Sequence, residues 1–234
     1  RAGMSSEEPV RDNFLWHYTS WSAADSILAN GTLRASHVGY LNDLEELKPF
    51  REALISQLES FRGEASNQDA YDGLRNSLTK QIREWSEPFY VICFSRREDH
   101  LSQWRGYGGQ GIAVALAFDR PLLVERFEKE KPKDAECFVW RKCVYDDREL
   151  VEAAGSVIRE VLQPVGERIE KRNTPNEQFY FRHDWYALVA ALRKHMPVYK
   201  SSEFSDEKEE RFVCQLSSYD KRQLGFHVAG RLLV

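Results

Sequence analysis

Two apolar segments in the middle of the chain constrain its fold most strongly. Phe89–Ser95 reads FYVICFS and 111–118 reads GIAVALAF, so both consist almost entirely of aliphatic and aromatic residues. Runs of this length and composition are typical of strands buried on both faces of a sheet. Further strands are predicted at 14–19, 32–36, 136–145, Glu209–Leu216 and 224–234, and helices at 22–30, about 44–61, 68–85, 148–172 and 179–195. This order predicts an α+β fold.

The chain has 234 residues and contains no internal repeat or Pro/Gly/Ser-rich linker. We therefore predict a single domain over residues 1–234, with helical insertions at about 43–86 and 147–195. The chain has 33 basic and 37 acidic residues, which gives a net charge of −4. This charge argues against binding of nucleic acid through a broad basic surface. No apolar run approaches the roughly 20 residues that span a bilayer, and no secretory signal pattern precedes the first strand. We expect a cytoplasmic protein with no membrane partner.

The four cysteines and six histidines show no spacing typical of metal sites. Neither a CxxC nor an HExxH pattern is present. The cysteines lie in apolar or aromatic runs, which favours buried thiols over zinc ligands or disulfides. We therefore expect no metal.

The first candidate segment for chemistry is the strand at 14–19. Its period of two places Leu15, His17 and Thr19 on one face, and Phe14, Trp16 and Tyr18 on the other. Two hydrogen-bonding groups about 6 to 7 Å apart on one strand can hold a ribose or an amide. The alternative is that His17 is a hydrogen-bonded structural residue. A helix follows, with Ser22 and Asp25 as a capping box and Gly31 as its stop.

The second candidate segment combines Ser95 with 103–109, which reads QWRGYGG. Its glycines let a backbone approach a ligand closely, and Trp104 and Tyr107 offer flat surfaces for stacking a planar ring. This segment is therefore either a nucleotide cradle or a glycine-rich hairpin turn with aromatic residues packed beneath it.

The third candidate segment opens the strand at Glu209–Leu216. Glu209 and Arg211 are expected on one face and Glu210 at the mouth of the apolar face, with Glu207 just before the strand. Neighbouring carboxylates suit acid/base or cation-stabilising work, because proximity separates their pKa values. The alternative is a solvated charge run.

Further motifs are spread along the chain: HYTS at 17–20, ILANGTL at 27–33, LNDLEE at 41–46, CFS at 93–95, Trp104 with YG at 107–108, and FSDEKEER at 204–211. Together these motifs resemble the uncharacterised bacterial family DUF2971. The resemblance runs nearly from end to end. Leu44 stands where this family usually has proline, a departure that affects a turn more than any chemistry.

The order of these elements also resembles the ADP-ribosyltransferase superfamily, including nucleic-acid-modifying toxins of the DarT type. The resemblance implies an ART-like split sheet and NAD as substrate, without a metal. It makes His17 the ribose clamp and Glu209 the catalytic carboxylate, with Glu207 orienting the acceptor. The other residues that it implies contact NAD are Tyr18, Thr19, Ser95, Trp104 and Tyr107. Because Glu210 adjoins the pair, the choice among the three glutamates stays open.

We therefore expect an NAD-dependent mono-ADP-ribosyltransferase that acts as a bacterial toxin or anti-phage effector, with an antitoxin protein as a partner. Its acceptor is RNA, DNA or protein. Three alternatives stay open: an NAD glycohydrolase, a structural partner in a toxin–antitoxin complex, and a non-catalytic nucleotide or RNA sensor. In the sensor, Trp104 and Tyr107 stack on the ligand, and Glu209 and Arg211 form a structural ion pair.

Overall fold

The computed structural model describes residues 13–38, 47–61, 68–85, 89–108, 111–129, 135–171, 177–216 and 226–227. Two compact units make up the chain. The first comprises Arg1–His37, Tyr90–Lys142 and Asp206–Val234, and the second comprises Val38–Phe89 and Cys143–Ser205. The single domain over 1–234 stays a prediction.

Strands and helices are interspersed along the described chain. The strands are β1 (Phe14–Ser20), β2 (Thr32–Leu33), β3 (Ser36–His37), β4 (Phe89–Ser95), β5 (Ala113–Asp119), β6 (Ala135–Lys142), β7 (Glu209–Leu216) and β8 (Phe226–His227). The α-helices are α1 (Trp21–Asn30), α2 (Lys48–Ser60), α3 (Gln68–Glu84), α4 (Leu101–Gly108), α5 (Arg120–Lys129), α6 (Asp147–Lys171) and α7 (Glu177–His195). A 3₁₀ helix, Ser202–Glu207, precedes β7. The α+β prediction is confirmed.

The sheet contains six strands in the order β5-β1-β4-β7-β6, with β3 beside β4, and β2 pairs separately with β8. β1 pairs with β5 along its whole length, from Phe14 opposite Asp119 to Ser20 opposite Ala113. It pairs with β4 at one position only within these two described strands, Trp16 opposite Ser95. β1 and β4 therefore share much less main-chain hydrogen bonding than β1 and β5.

The core of the first unit lies on one face of this sheet. Its buried residues are Leu15, Ala24, Ile27, Leu33, Ile92, Phe94, Leu116, Phe118, Leu123, Phe127, Phe138, Phe212 and Cys214. The ring of Phe127 on α5 stacks on Phe212 of β7 with 4.4 Å between centroids, and the edge of Phe138 meets the same ring. Burial of a side chain of this size contributes about 1.5 to 3 kcal/mol, so this face anchors α5.

Helix α1 begins two residues earlier than the predicted capping box. Ser20 has extended backbone angles, and its hydroxyl accepts from the N–H of Ala23 at 3.3 Å. β1 runs directly into α1, which makes its last residue the cap, so the prediction of Ser22 with Asp25 is wrong. Gly31 ends the helix with φ of 62°, which confirms the predicted stop.

The segment between β4 and β5 is a helix, so the predicted hairpin turn is wrong, whereas the nucleotide cradle stays a prediction. Residues 101–108 form α4, and position 109 lies outside the described residues. Gly106 costs about 1 kcal/mol in a helix relative to alanine, which the contacts of Trp104 offset. The glycines predict a turn, but the tertiary packing of this segment favours a helix.

Helix α5 was not predicted, although its start is visible in the sequence. The carboxylate of Asp119 accepts from the N–H of Leu122 at 3.0 Å, and Pro121 lies in the first turn. Aspartate followed two residues later by proline is a typical helix start.

The second unit is built from α2, α3, α6 and α7, which correspond to the helices predicted within the two insertions. The predicted start near Leu44 lies outside the described residues. The ring of Phe50 stacks on His195 at 5.0 Å and on Tyr199 at 5.4 Å. Val144 and Tyr199 form a short parallel bridge.

The described residues also bear on membrane insertion, metal binding and disulfide formation. No helix among the described residues is long and apolar enough to cross a membrane. No group of three His, Cys, Asp or Glu side chains in the described ranges could hold a metal ion. Cys93, Cys143 and Cys214 are thiols and not disulfides, and only Cys214 is fully buried.

Candidate functional site

The ends of β4 and β7 are joined by hydrogen bonds from two neighbouring residues. The hydroxyl of Ser95 donates to the carbonyl of Glu207 at 2.8 Å and accepts from the N–H of Arg97 at 3.0 Å. The N–H of Arg96 donates to the carbonyl of Lys208 at 3.1 Å. The second and third candidate segments, more than 100 residues apart in sequence, are therefore adjacent in the fold.

Lys208 adopts a left-handed backbone conformation at this junction. Its φ is 48°, the only positive φ of a non-glycine residue in the described part of the chain. This conformation costs an L-residue about 1 to 2 kcal/mol. It turns the chain from the 3₁₀ helix into β7, so that the carbonyl of Lys208 meets Arg96 while Glu209 enters the sheet.

Tyr18 connects the first candidate segment to the same junction. Its hydroxyl donates to the carbonyls of Arg97 and Glu98, at 3.0 and 2.9 Å, and accepts from the N–H of His100 at 3.2 Å. Burial raises the pKa of Tyr18, so the hydroxyl keeps the proton that it donates. Tyr18 therefore holds the loop that leads into α4.

The aromatic residues of α4 differ in what they contact. Trp104 meets the ring of Tyr18 edge-on with 4.9 Å between centroids, and its indole N–H donates to Asp99 at 2.6 Å. Tyr107, near the end of the helix, is 37% exposed. Stacking of Trp104 on a ligand would therefore compete with its contacts to Tyr18 and Asp99. The assignments of Trp104 and Tyr107 as NAD contacts stay predictions.

The alternation of β1 separates the predicted site residues into two sets. His17 lies opposite Leu116 and Thr19 opposite Val114, which place both side chains on the face that carries the apolar core. Tyr18 points to the other face. Ser95 shares that other face, since it lies opposite Trp16. The structure therefore brings all three segments together but does not direct all their side chains to one surface.

Glu209 lies on the Ser95 side and is paired with Arg211. The Nε of Arg211 donates to Oε1 at 2.6 Å and its Nη2 to Oε2 at 3.1 Å, and both residues are buried. A two-point pair of this kind fixes the orientation of the carboxylate. Glu207 ends the 3₁₀ helix with a half-buried side chain. The catalytic roles of Glu209 and Glu207 stay predictions.

Glu210 lies on the opposite, apolar face, as the alternation of β7 predicted. Its Oε2 accepts from the Nε of Arg120 at 2.9 Å and from the indole N–H of Trp140 at 2.6 Å. The Nε of Arg96 lies 3.8 Å from Oε1, beyond hydrogen-bond range. Oε1 is buried and accepts no hydrogen bond from any residue that the structure describes. The two oxygens of one carboxylate therefore differ in their partners.

His17 shares this face with Glu210. The ring of His17 lies 5.6 Å from that of Phe94, which lies 5.2 Å from that of Trp140, the indole bonded to Glu210. The Nδ1 of His17 is 2.9 Å from the carbonyl of Cys93 and must carry the proton there, because a carbonyl only accepts. Burial lowers the pKa of His17, so the neutral ring offers Nε2 as an acceptor.

Sequence reasoning missed Arg96, Arg120 and Trp140 as site residues. Arg120 and Trp140 are 90 and 70 positions from Glu210 in the chain, so no local pattern connects them. The available signals were weak: Arg96 follows a predicted strand, and Arg120 lies between Asp119 and Pro121 at the start of α5.

A family model described as a protein of unknown function (DUF2971) matches residues 103–212. No curated protein and no solved structure matches the chain. The match begins within α4 and ends in β7, so it includes Arg120, Trp140 and Glu210, whereas His17 and Ser95 lie outside it. The similarity to DUF2971 therefore covers the region that carries the glutamates, just under half of the 234 residues.

Proposed function

We propose that this protein is an NAD-dependent mono-ADP-ribosyltransferase that acts in the cytoplasm as a bacterial toxin or anti-phage effector. One observation carries the proposal: the segments of His17, Ser95 and the three glutamates lie on β1, β4 and β7, which are neighbours in one sheet. The weak pairing of β1 with β4, one residue pair, also supports an ART-like split sheet.

The chemistry fits these residue types. The bond between nicotinamide and ribose breaks, nicotinamide leaves with the bonding electrons, and the ribose carbon gains positive charge. A fixed carboxylate stabilises that charge and accepts a hydrogen bond from a ribose hydroxyl. The acceptor, a nucleophilic group of RNA, DNA or a protein, then bonds to the ribose carbon and loses its proton to a carboxylate. Glu207, Glu209 and Glu210 are the carboxylates that β7 and its approach supply.

His17 fits the role of ribose clamp in this proposal. Its ring is neutral because burial lowers its pKa, and its Nδ1 is engaged by the Cys93 carbonyl. Nε2 can therefore accept a hydrogen bond from a sugar hydroxyl. A positively charged imidazolium would have no acceptor to offer.

The test is incubation of the purified protein with labelled NAD and separate pools of RNA, DNA and lysate protein. We expect nicotinamide release and transfer of label to one pool. Glutamine variants of the three glutamates, each checked for folding by circular dichroism, identify the reacting carboxylate by a rate loss on the order of 10² to 10³. Intact NAD with the folded wild-type protein in every pool would contradict the proposal.

An NAD glycohydrolase would use the same geometry with water as acceptor. It is distinguished by free ADP-ribose that accumulates in the absence of any pool.

The second candidate is a nucleotide-binding module without catalysis. The ion pair between Glu209 and Arg211 favours this non-catalytic module, because a carboxylate with both oxygens held by a guanidinium is suited to a structural role. Such a module would bind a nucleotide and leave it intact. Glu209→Ala would then lower the free energy of unfolding, and neither this variant nor the wild-type protein would cleave NAD.

A further inference from the structure

Glu210 combines deep burial with an incomplete set of partners. Its side chain is 1% exposed, and both hydrogen bonds that it accepts reach Oε2. Leaving a buried acceptor without a donor costs about 1 to 3 kcal/mol, and more for a charged group. Native proteins satisfy nearly all such atoms, so Oε1 calls for a partner outside the described residues.

Two arginines near Glu210 carry N–H donors that do not bond to it. The side chain of Arg96 is 45% exposed and approaches Oε1 only to 3.8 Å, and that of Arg120 is 35% exposed and bonds through Nε. Each guanidinium carries five N–H donors. With one carboxylate between two guanidiniums, the cluster has a formal charge of +1, which suits an anion and disfavours a metal cation.

The donors and the acceptor together define a class of ligand. Oε1 requires a donor such as a hydroxyl, whereas the exposed guanidinium ends suit the oxygens of a phosphate. A phosphorylated sugar presents both groups a few bonds apart.

We propose that Glu210 binds a sugar hydroxyl of a phosphorylated ribose whose phosphate is held by Arg96 and Arg120. The inference deepens the proposed function and rests on it for the identity of the whole ligand, since NAD contains two phosphorylated riboses. It assigns the hydroxyl-binding role to Glu210 and not to Glu209, which lies on the other face with both oxygens held by Arg211.

We expect access to Oε1 to involve movement of Arg96, whose Nε lies 3.8 Å from it. Its side chain is nearly half exposed and makes no hydrogen bond to Glu210, so a ligand phosphate can draw the guanidinium outward. Arg120 and Trp140 continue to hold Oε2 during this movement, which keeps the carboxylate aimed at the ligand.

The experiment is calorimetric titration of the full chain with ADP-ribose, ribose 5-phosphate and inorganic phosphate, none of which requires turnover. We expect Glu210→Gln to weaken ADP-ribose binding more than ten-fold, as loss of a charge-assisted hydrogen bond predicts, and not to weaken phosphate binding, because the substitution removes a negative charge from between the two guanidiniums. Arg96→Ala should weaken all three. Because Glu210 is buried, each variant is checked by circular dichroism, and Arg96→Ala keeps the test valid if Glu210→Gln does not fold.

Arg97→Ala is the matched control. Arg97 follows Arg96, is 44% exposed, and pairs with Asp206 at 3.6 Å instead of with Glu210. We expect it to bind all three probes like the wild-type protein. Equal loss in Arg96→Ala and Arg97→Ala would indicate a general charge effect and overturn the inference.

Other outcomes separate the inference from the proposed function. Probe binding that depends on Glu210, in a protein that never cleaves NAD, would support the inference and contradict the function. NAD cleavage that survives Glu210→Gln would support the function and overturn the inference. Wild-type affinity for phosphate equal to that for ribose 5-phosphate, or no binding of either sugar probe, would also overturn the inference.

Discussion

Glu209 and Glu210 are adjacent in sequence, yet the two faces of the sheet give them opposite environments. Both oxygens of Glu209 are held by Arg211, whereas Glu210 has one oxygen with two donors and one with none among the described residues. The difference arises from the period of two of a strand, which sends neighbouring side chains to opposite faces. Two like residues side by side can therefore have separate roles, one in structure and one in binding.

The same contrast extends across the two faces. On the Glu209 face, the hydroxyls of Tyr18 and Ser95 are engaged by backbone groups. On the Glu210 face, Nε2 of His17 and Oε1 of Glu210 are acceptors to which no described residue donates. Acceptors that no described residue satisfies can accept a hydrogen bond from a ligand that reaches them.

The largest expected effect concerns the ion pair on the Glu209 face. Arg211→Met should lower the free energy of unfolding by about 3 to 5 kcal/mol, because Glu209 stays buried without its guanidinium. Urea denaturation measures this. Arg97→Ala, which breaks an exposed pair with Asp206, should change stability by less than about 1 kcal/mol. Equal effects of the two substitutions would remove the structural role that we assign to Glu209.

Substitution of Tyr18 tests how much its hydroxyl stabilises the loop before α4. Tyr18→Phe deletes the hydroxyl that meets Arg97, Glu98 and His100, and should cost about 1 to 3 kcal/mol. Hydrogen exchange should show faster exchange at the amide of His100. Tyr186→Phe, at an exposed tyrosine, is the control and should be neutral. An unchanged exchange rate at His100 would show that the loop does not depend on this hydroxyl.

The pH dependence of stability tests the Glu210 face through His17. Burial lowers the pKa of His17 below its ordinary value of 6.5, so the unfolded chain binds the proton more readily. The stabilising contribution of His17 is therefore complete above about pH 6.5 and decreases as the pH falls toward the folded pKa. Urea denaturation between pH 5 and 8 should show this decrease in the wild-type protein and a flatter profile in His17→Gln. Parallel profiles would contradict the lowered pKa of His17.

The smallest expected effect concerns the residue that leads into both glutamates. Lys208→Gly should raise stability by up to about 1 kcal/mol, because glycine adopts a positive φ without strain. Lys208→Ala should not, since alanine keeps the steric cost. Thermal unfolding of the two variants compares them directly, and a gain for alanine equal to that for glycine would show that backbone strain is not the cause.

Local patterns predicted much of the fold. β4 and β7 have the predicted bounds, and the faces of Glu209 and Glu210 follow from alternation alone. α4 was missed because its glycines indicate a turn, whereas the packing of Trp104 on Tyr18 decides for a helix. The partners of Glu210 could not be predicted from local patterns, because Arg120 and Trp140 are distant in sequence and lie near Glu210 only in the folded sheet.

The most direct test of the account is one titration of ADP-ribose into the wild-type protein, Glu209→Gln and Glu210→Gln, at equal folded fractions. We predict that Glu210→Gln weakens binding more than ten-fold while Glu209→Gln stays within about three-fold of the wild-type affinity. Loss of binding in Glu209→Gln with wild-type affinity in Glu210→Gln would contradict the separation of structural and binding roles between the two faces.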